Sequence, residues 1–137
     1  MPKRANDFLQ ESVVLSFDHA DLTSDTTSKF FKVPAGRKLR VTKVEYINPT
    51  GLAEHASNFF ALSLKNGSTV MAGPLSTDSA GSGDNGIVAD TFTELTLSAT
   101  EANRIASAGD VLSFLADETG TATLPAGRLV VHATYVQ

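Results

Sequence analysis

Apolar residues along this chain recur mostly at every second position, in short runs separated by clusters of Gly, Pro, Asn, Asp and Ser. A period of two sends alternate side chains to opposite faces of a strand, whereas a helix repeats its apolar positions every three to four residues. About eight runs carry the pattern: 12–17, 28–33, 38–48, 58–65, 69–75, 87–98, 110–117 and 123–136. In 58–65, Phe60, Leu62 and Leu64 share one face while Phe59, Ala61 and Ser63 share the other. In 110–117, Leu112, Phe114 and Ala116 alternate with Val111, Ser113 and Leu115. Both faces are partly apolar in these two runs, which predicts central strands or strands covered by a neighbour. The run 38–48 breaks parity: Leu39 and Val41 lie on its odd face, Val44 and Tyr46 on its even face. Either a bulge near Thr42-Lys43 restores one buried face, or the strand is buried on both sides.

Turn chemistry agrees with strands. Lys65-Asn66-Gly67-Ser68 stands between Leu64 and Val70, and Asn-Gly is the favoured pair where a two-residue hairpin needs positive φ twice. Pro-Ala-Gly occurs at 34–36 and again at 125–127, each time after an aliphatic residue and before an arginine. Both copies read as hairpin turns with a glycine bulge, one turn solution used twice. A single segment has helical signals. Ser98-Ala99-Thr100-Glu101 has capping-box spacing and Gly109 is placed to stop a helix, so a short connecting helix is expected over 102–106. The stretch 76–86 (STDSAGSGDNG) reads as a surface loop. The sum is an all-β fold, a single β-sandwich over 12–137 with an N-terminal arm at 1–11. An eight-stranded jelly roll is expected, with a seven-stranded immunoglobulin-like sandwich as the other possibility.

Composition narrows the chemistry. With 137 residues there is room for one ordinary domain, and 42% apolar residues suffice for a packed core. The absence of cysteine removes disulfides, thiolate metal sites and thiol nucleophiles together. No apolar run reaches 18 residues, and the first residues lack the apolar stretch of a secretory signal. A soluble, unprocessed chain with no membrane partner is the expectation.

The remaining motifs point away from catalysis. Gly81-Ser82-Gly83-Asp84-Asn85-Gly86 matches G-x-G-x-x-G in letters, but a dinucleotide site needs a helix directly after the loop, and Ile87 to Phe92 favours a strand. Asp18, Asp21 and Asp25 form one acidic cluster, and Asp78, Asp84 and Asn85, with Asp90 beyond, form another; neither has the spacing of a calcium loop, so both read as solvated loop residues. His19, His55 and His132 stand in separate segments without a metal-ligand spacing. There is no nucleophile elbow and no carboxylate pair that stands apart. Asn66-Gly67-Ser68 is formally a glycosylation sequon, better read as the hairpin turn. No enzymatic activity, cofactor or metal is expected.

Charge is more informative. Lys29, Lys32, Arg37, Lys38, Arg40 and Lys43 place six of the 11 basic residues in one acid-free stretch, although the chain as a whole carries a net charge of −4. A hairpin of 28–33 and 38–48 would gather them on one edge or face. Such a patch protects an edge from strand pairing, meets an acidic protein surface, or meets phosphate. Overall acidity and the lack of interleaved aromatics disfavour nucleic acid.

Four phrases, FFKVPAGRKLRVTKVEYINPTGLA, FALSLKNGSTV, ADTFTELTLSATEANRIASAGDVLSF and TLPAGRLVVHATYV, resemble head decoration (cement) proteins and related minor virion proteins of tailed bacteriophages. The resemblance covers 28–136. It implies a non-catalytic β-sandwich, often a homotrimer, that binds the outside of an assembled capsid and reinforces it. The partner would then be the major capsid protein of the same virion, with assembly in the host bacterial cytoplasm. No binding residue transfers with the resemblance. The arm, with Lys3, Arg4, Phe8 and Leu9, is a segment able to order against a neighbour. A tail- or fibre-associated virion protein shares the same phrases. A carbohydrate-binding module is a further possibility, though with no Trp its phenols are Tyr46 and Tyr135 alone. For a histidine-metal jelly-roll enzyme the histidine spacing is poor.

Overall fold

The structure, a computed structural model, describes residues 11–80 and 86–136. Two antiparallel sheets pack face to face as a β-sandwich. The strands are β1 (Glu11–His19), β2 (Thr26–Lys32), β3 (Lys38–Ile47), β4 (Phe59–Asn66), β5 (Thr69–Ser76), β6 (Thr93–Leu95), β7 (Ile105–Ala106), β8 (Val111–Thr119) and β9 (Gly127–Val136). One sheet has the order β1-β9-β3-β6, with β7 also on β3; the other has the order β2-β8-β4-β5. Leu39, Val41, Val44 and Tyr46 of β3 and Leu129 and Val131 of β9 meet Phe60, Leu62, Leu64, Leu112 and Phe114 of the opposite sheet in one buried core.

The two strands expected to be central, β4 and β8, are central in their sheet. The parity break in β3 is a bulge: its register against β9 shifts between Val41 and Lys43, so both apolar pairs face the core. Asn66 pairs with Thr69, which makes Gly67-Ser68 the two-residue loop of the β4–β5 hairpin. Gly67, at φ +60°, supplies the positive φ at the first loop position, so the turn rests on Gly-Ser and not on Asn-Gly.

Other expectations are corrected. Neither Pro-Ala-Gly segment is a hairpin turn, because β2 and β3, and likewise β8 and β9, lie in different sheets. At the first, Pro34 O accepts from Arg37 N at 3.2 Å with Gly36 at φ +76°, and this turn carries the chain across the sandwich. At the second, Gly127 opens β9 and lies against the ring of Tyr46, which a Cβ would strike. The run 87–98 shrinks to the three-residue β6, because Gly86 (φ +76°) and Asp90 (φ +56°) turn the chain and only isolated bridges flank it, Leu52–Ile87 and Ala72–Leu97. The expected helix is a 3-10 turn at Glu101–Arg104, whose N-cap position is Thr100 and not Ser98, with no side-chain capping bond. Ser98 Oγ instead accepts from Thr100 N, 3.3 Å away.

One side of the sandwich is laced shut. Gly73 N donates to Thr96 O and Ser98 N to Met71 O, joining β5 to the segment leaving β6. Along the opposite side run the edges β1 and β2, linked by the Phe17–Phe30 ring stack at 5.4 Å.

Candidate functional site

The six basic residues do not form one face, because β2 and β3 belong to opposite sheets. Directly paired residues share a face of a sheet, so the registers place each of them. Lys29 pairs with Ser113 and Lys32 with Val111. Ser113 also pairs with Lys65, so these lysines share the outer face of the β2-β8-β4-β5 sheet. The register shift between Lys29 and Phe31 is what brings Lys29 and Lys32 to the same side. Lys38, Arg40 and Lys43 lie on the outer face of the other sheet, since Leu39, Val41 and Val44 point inward.

The patch is further divided by ion pairs. Arg37 bonds Glu11, Arg40 lies 3.1 Å from Glu101, and Lys43 lies 3.3 Å from Glu45. Glu45 also meets His132 Nε2 at 3.0 Å. Burial pushes the Glu45 carboxyl up, but its bonds to His132 and Lys43 outweigh that and hold it below the usual range. Lys29, Lys32 and Lys38 make no ion pair among the described residues.

Three of the six still converge where the sandwich ends. The turn 34–37, the loop 107–109 and the end of β9 surround two adjoining shallow clefts that share Ala108. One, of about 570 Å³, is lined by Arg37, Lys38, Ser107 and Val136; the other, of about 440 Å³, by Lys32, Pro34, Ala35 and Gly109. The walls are held from the backbone: Val33 N donates to Asp110 O, Gly109 N to Val33 O, and Asp110 N to Ser107 O. Asp110 Oδ2 accepts from Ser107 N at 2.8 Å and from Asn66 Nδ2 at 2.9 Å, and these bonds keep its carboxyl below the ordinary value. The Arg37 guanidinium lies 4.1 Å over the ring of Tyr135. The result is a rigid apolar floor of Pro34, Ala35, Ala108 and Val136, with Lys32 and Lys38 beside it. Tyr135, Val136 and the loop 107–109 were not legible as members of this site. Tyr135 and Val136 join it through the pairing of Lys38 with Val136 and Leu39 with Tyr135, and the loop through its backbone bonds to Val33. The arm residues Lys3, Arg4, Phe8 and Leu9 lie outside the described residues.

The other candidates resolve into structural roles. His19 is 8% exposed, and its Nδ1 lies 2.7 Å from Ala20 O. Because a carbonyl only accepts, Nδ1 carries the proton, and Nε2 accepts from the Tyr46 hydroxyl at 2.6 Å. Burial lowers the affinity of His19 for a second proton and pushes the Tyr46 phenol up to about 12. Fully buried Asn48 completes the group: Nδ2 donates to Pro125 O at 2.8 Å, and Oδ1 accepts from Thr50 N and Gly51 N. His55 Nδ1 accepts from Ser57 N and Asn58 N, stabilising a turn.

The first acidic cluster is not simply solvated. Asp18 makes a two-point contact with Arg128, at 2.6 and 3.2 Å. Asp21 Oδ1 accepts from Ala126 N, and Asp25 Oδ1 from Glu118 N. These three acids pin the β1–β2 connection to the opposite end of the chain. Asp117 has its pKa raised, first by burial and then by Asp25. Among the described residues no three His or carboxylate side chains are grouped to hold a metal. Most of the glycine-rich stretch, 81–85, lies outside the described residues, and beyond Gly86 the chain makes an isolated bridge at Ile87 and a turn at Ala89-Asp90, with no helix. No family model matches this chain, and no curated protein matches it.

Proposed function

We propose that this β-sandwich is an adhesive structural protein of a bacteriophage virion, seated on the capsid exterior through its basic end. The observation that carries the proposal is the convergence of Lys32 and Lys38, free of ion pairs among the described residues, on an apolar floor braced by Arg37 over Tyr135. Cations around an apolar centre suit an acidic protein surface: charge speeds encounter and sets orientation, while apolar burial holds the complex. The backbone bonds that tie 107–110 to Val33 make the surface pre-organised, which limits the ordering cost of docking. The partner is the major capsid protein, and the protein is located on the virion that assembles in the bacterial cytoplasm. The strand order β1-β9-β3-β6 over β2-β8-β4-β5, in which only β4 and β5 form a local hairpin, supports a jelly-roll reading of the sandwich.

The test is binding kinetics on capsids of the virion that carries the gene. Lys32→Gln with Lys38→Gln should slow association about tenfold at low salt and leave melting unchanged, because both side chains are exposed. Raising salt should slow the wild type in the same way, as the Debye length falls from about 10 Å at 0.1 M to about 3 Å at 1 M. Association of the double variant at the wild-type rate in low salt overturns the basic end as the docking surface.

A further inference from the structure

An edge strand offers unpaired N–H and C=O groups to any strand that can align with it, and folded proteins normally blunt such edges. The edges of this sandwich are treated unequally. β2 carries Lys29 and Lys32 and a register irregularity between Lys29 and Phe31. β5 contains Pro74, which has no N–H, and is crossed by the bonds from Gly73 and Met71 to the 96–98 segment. β6 and β7 are three and two residues long. β1 has none of these devices. It runs nine residues, Glu11–His19, without Lys or Pro, and its register with β9 is unbroken from end to end.

The side chains of β1 are also incompletely covered. Val14 on the outer face is 63% exposed. Val13, Leu15 and Phe17 point to the core yet are only partly buried, and among the described residues no backbone hydrogen bond joins β1 to β2. We infer that a second copy of this chain docks here, β1 antiparallel to β1, so that two sheets continue into one across a two-fold axis at Val14.

The strand is self-complementary in that register. Val14 meets Val14 on the outer face with Ser12 opposite Ser16, and Val13 meets Leu15 on the inner face. The acids of β1 do not meet each other: Glu11 falls opposite Phe17, a pair that adds nothing, Asp18 lies past the described end of the paired stretch, and each has its countercharge within its own molecule, Arg37 and Arg128. Centring the pair on Leu15 instead sets Val14 against Ser16 and Ser12 against Asp18, which loses both matches. The symmetry is two-fold, unlike the three-fold assembly that the sequence resemblance implies, and no capsid enters it, so it stands or falls apart from the proposed function.

The chain has no cysteine, so a single introduced thiol reports on its own position. Directly opposed strand residues bring Cβ atoms near disulfide distance. Val14→Cys should oxidise to a covalent dimer at least about tenfold faster than Val88→Cys, a control site of similar exposure at 61%. Sedimentation of the full-length wild type should give a dimer. Val14→Lys should give a folded monomer, since that side chain already faces water. Three results overturn the inference: a wild-type monomer at high-micromolar concentration, a trimer unchanged by Val14→Lys, or equal oxidation of the two cysteine variants.

Discussion

The side chains that organise one end of the core are polar. Tyr46 donates to His19, His19 donates to Ala20 O, and Asn48 ties the same corner to Pro125 and to the backbone at Thr50 and Gly51. His19 also stacks on Phe114, at 5.3 Å between ring centroids. Tyr46→Phe removes the partner of a buried imidazole nitrogen and should cost about 1–3 kcal/mol in denaturant unfolding. Gly127→Ala drives a methyl group into the Tyr46 ring and the Ile47 carbonyl, and should cost a similar amount, about 1–3 kcal/mol. Protonating His19 places an N–H against the Tyr46 hydroxyl and takes away the acceptor that hydroxyl needs. Its folded pKa is lowered by burial, so between that value and about 6.5 the unfolded chain binds the extra proton. Stability is therefore complete above pH 6.5 and falls as pH drops below it, with a slope of at most about 1.4 kcal/mol per pH unit. His19→Gln should be less stable at pH 7.5 but should lack this slope between pH 7 and 5, as melting scans across that range will show. Asp18, Glu45 and Asp110, all held below their usual values, act in a separate window, withdrawing stability only as pH falls below about 4.

At the scale of elements, the bulges decide which side chains face where. Were all ten residues of β3 laid out as a regular strand with no bulge, either Leu39 and Val41 or Val44 and Tyr46 would face solvent, because one residue of slip inverts a strand. Deleting Thr42 should therefore leave the protein folded, because Leu39, Val41, Val44 and Tyr46 then share one parity in a strand without a bulge, and Thr42→Ala should cost under about 1 kcal/mol. Circular dichroism and soluble yield check the first, and denaturant unfolding the second. The parity break in β3 was legible because four apolar residues changed parity within one run, and the structure resolves it as a bulge and not as burial on both sides. The bulge in β2 was not legible, since Phe30 and Phe31 are both apolar and their spacing carries no parity. The run 87–98 looked like one strand because Asp90 carries no signal for a left-handed φ in the way that glycine does.

At the scale of the molecule, the arrangement is set by which strands pair, and this redistributed the charge. The basic stretch is contiguous in sequence, but its strands lie in opposite sheets, so it wraps around one end of the sandwich instead of covering a face. Arg37, Arg40 and Lys43 are occupied by acids from β1, the 3-10 turn and β3 itself. For this reason Arg37→Gln with Arg40→Gln should affect docking less than the Lys32, Lys38 pair, by a factor of about three or more in association rate. The acidic β1–β2 connection is fastened by hydrogen bonds to backbone N–H groups and by Arg128, and its carboxylates are thereby engaged. Chelators should leave the melting temperature unchanged. A calcium-dependent rise above about 5 °C would reveal a ligand set in the β1–β2 connection or around 78–90.

What the sequence alone determined was local: strand periodicity, the all-β class, the β4–β5 hairpin, the two-sided apolar character of β4 and β8, and the parity break in β3. Each depends on residues close together in the chain, where alternation and turn conformation leave a direct mark. Tertiary structure decided which strands neighbour one another, and hence every property that depends on long-range pairing. Only it sent both Pro-Ala-Gly turns across the sandwich, brought Tyr135 beneath Arg37, gave Tyr46 its partner in His19, and placed β1 at the edge of its sheet. Period-two alternation states which face of a strand is buried and carries no information about the strand lying next to it, because hydrophobic burial is satisfied by any apolar partner of suitable shape.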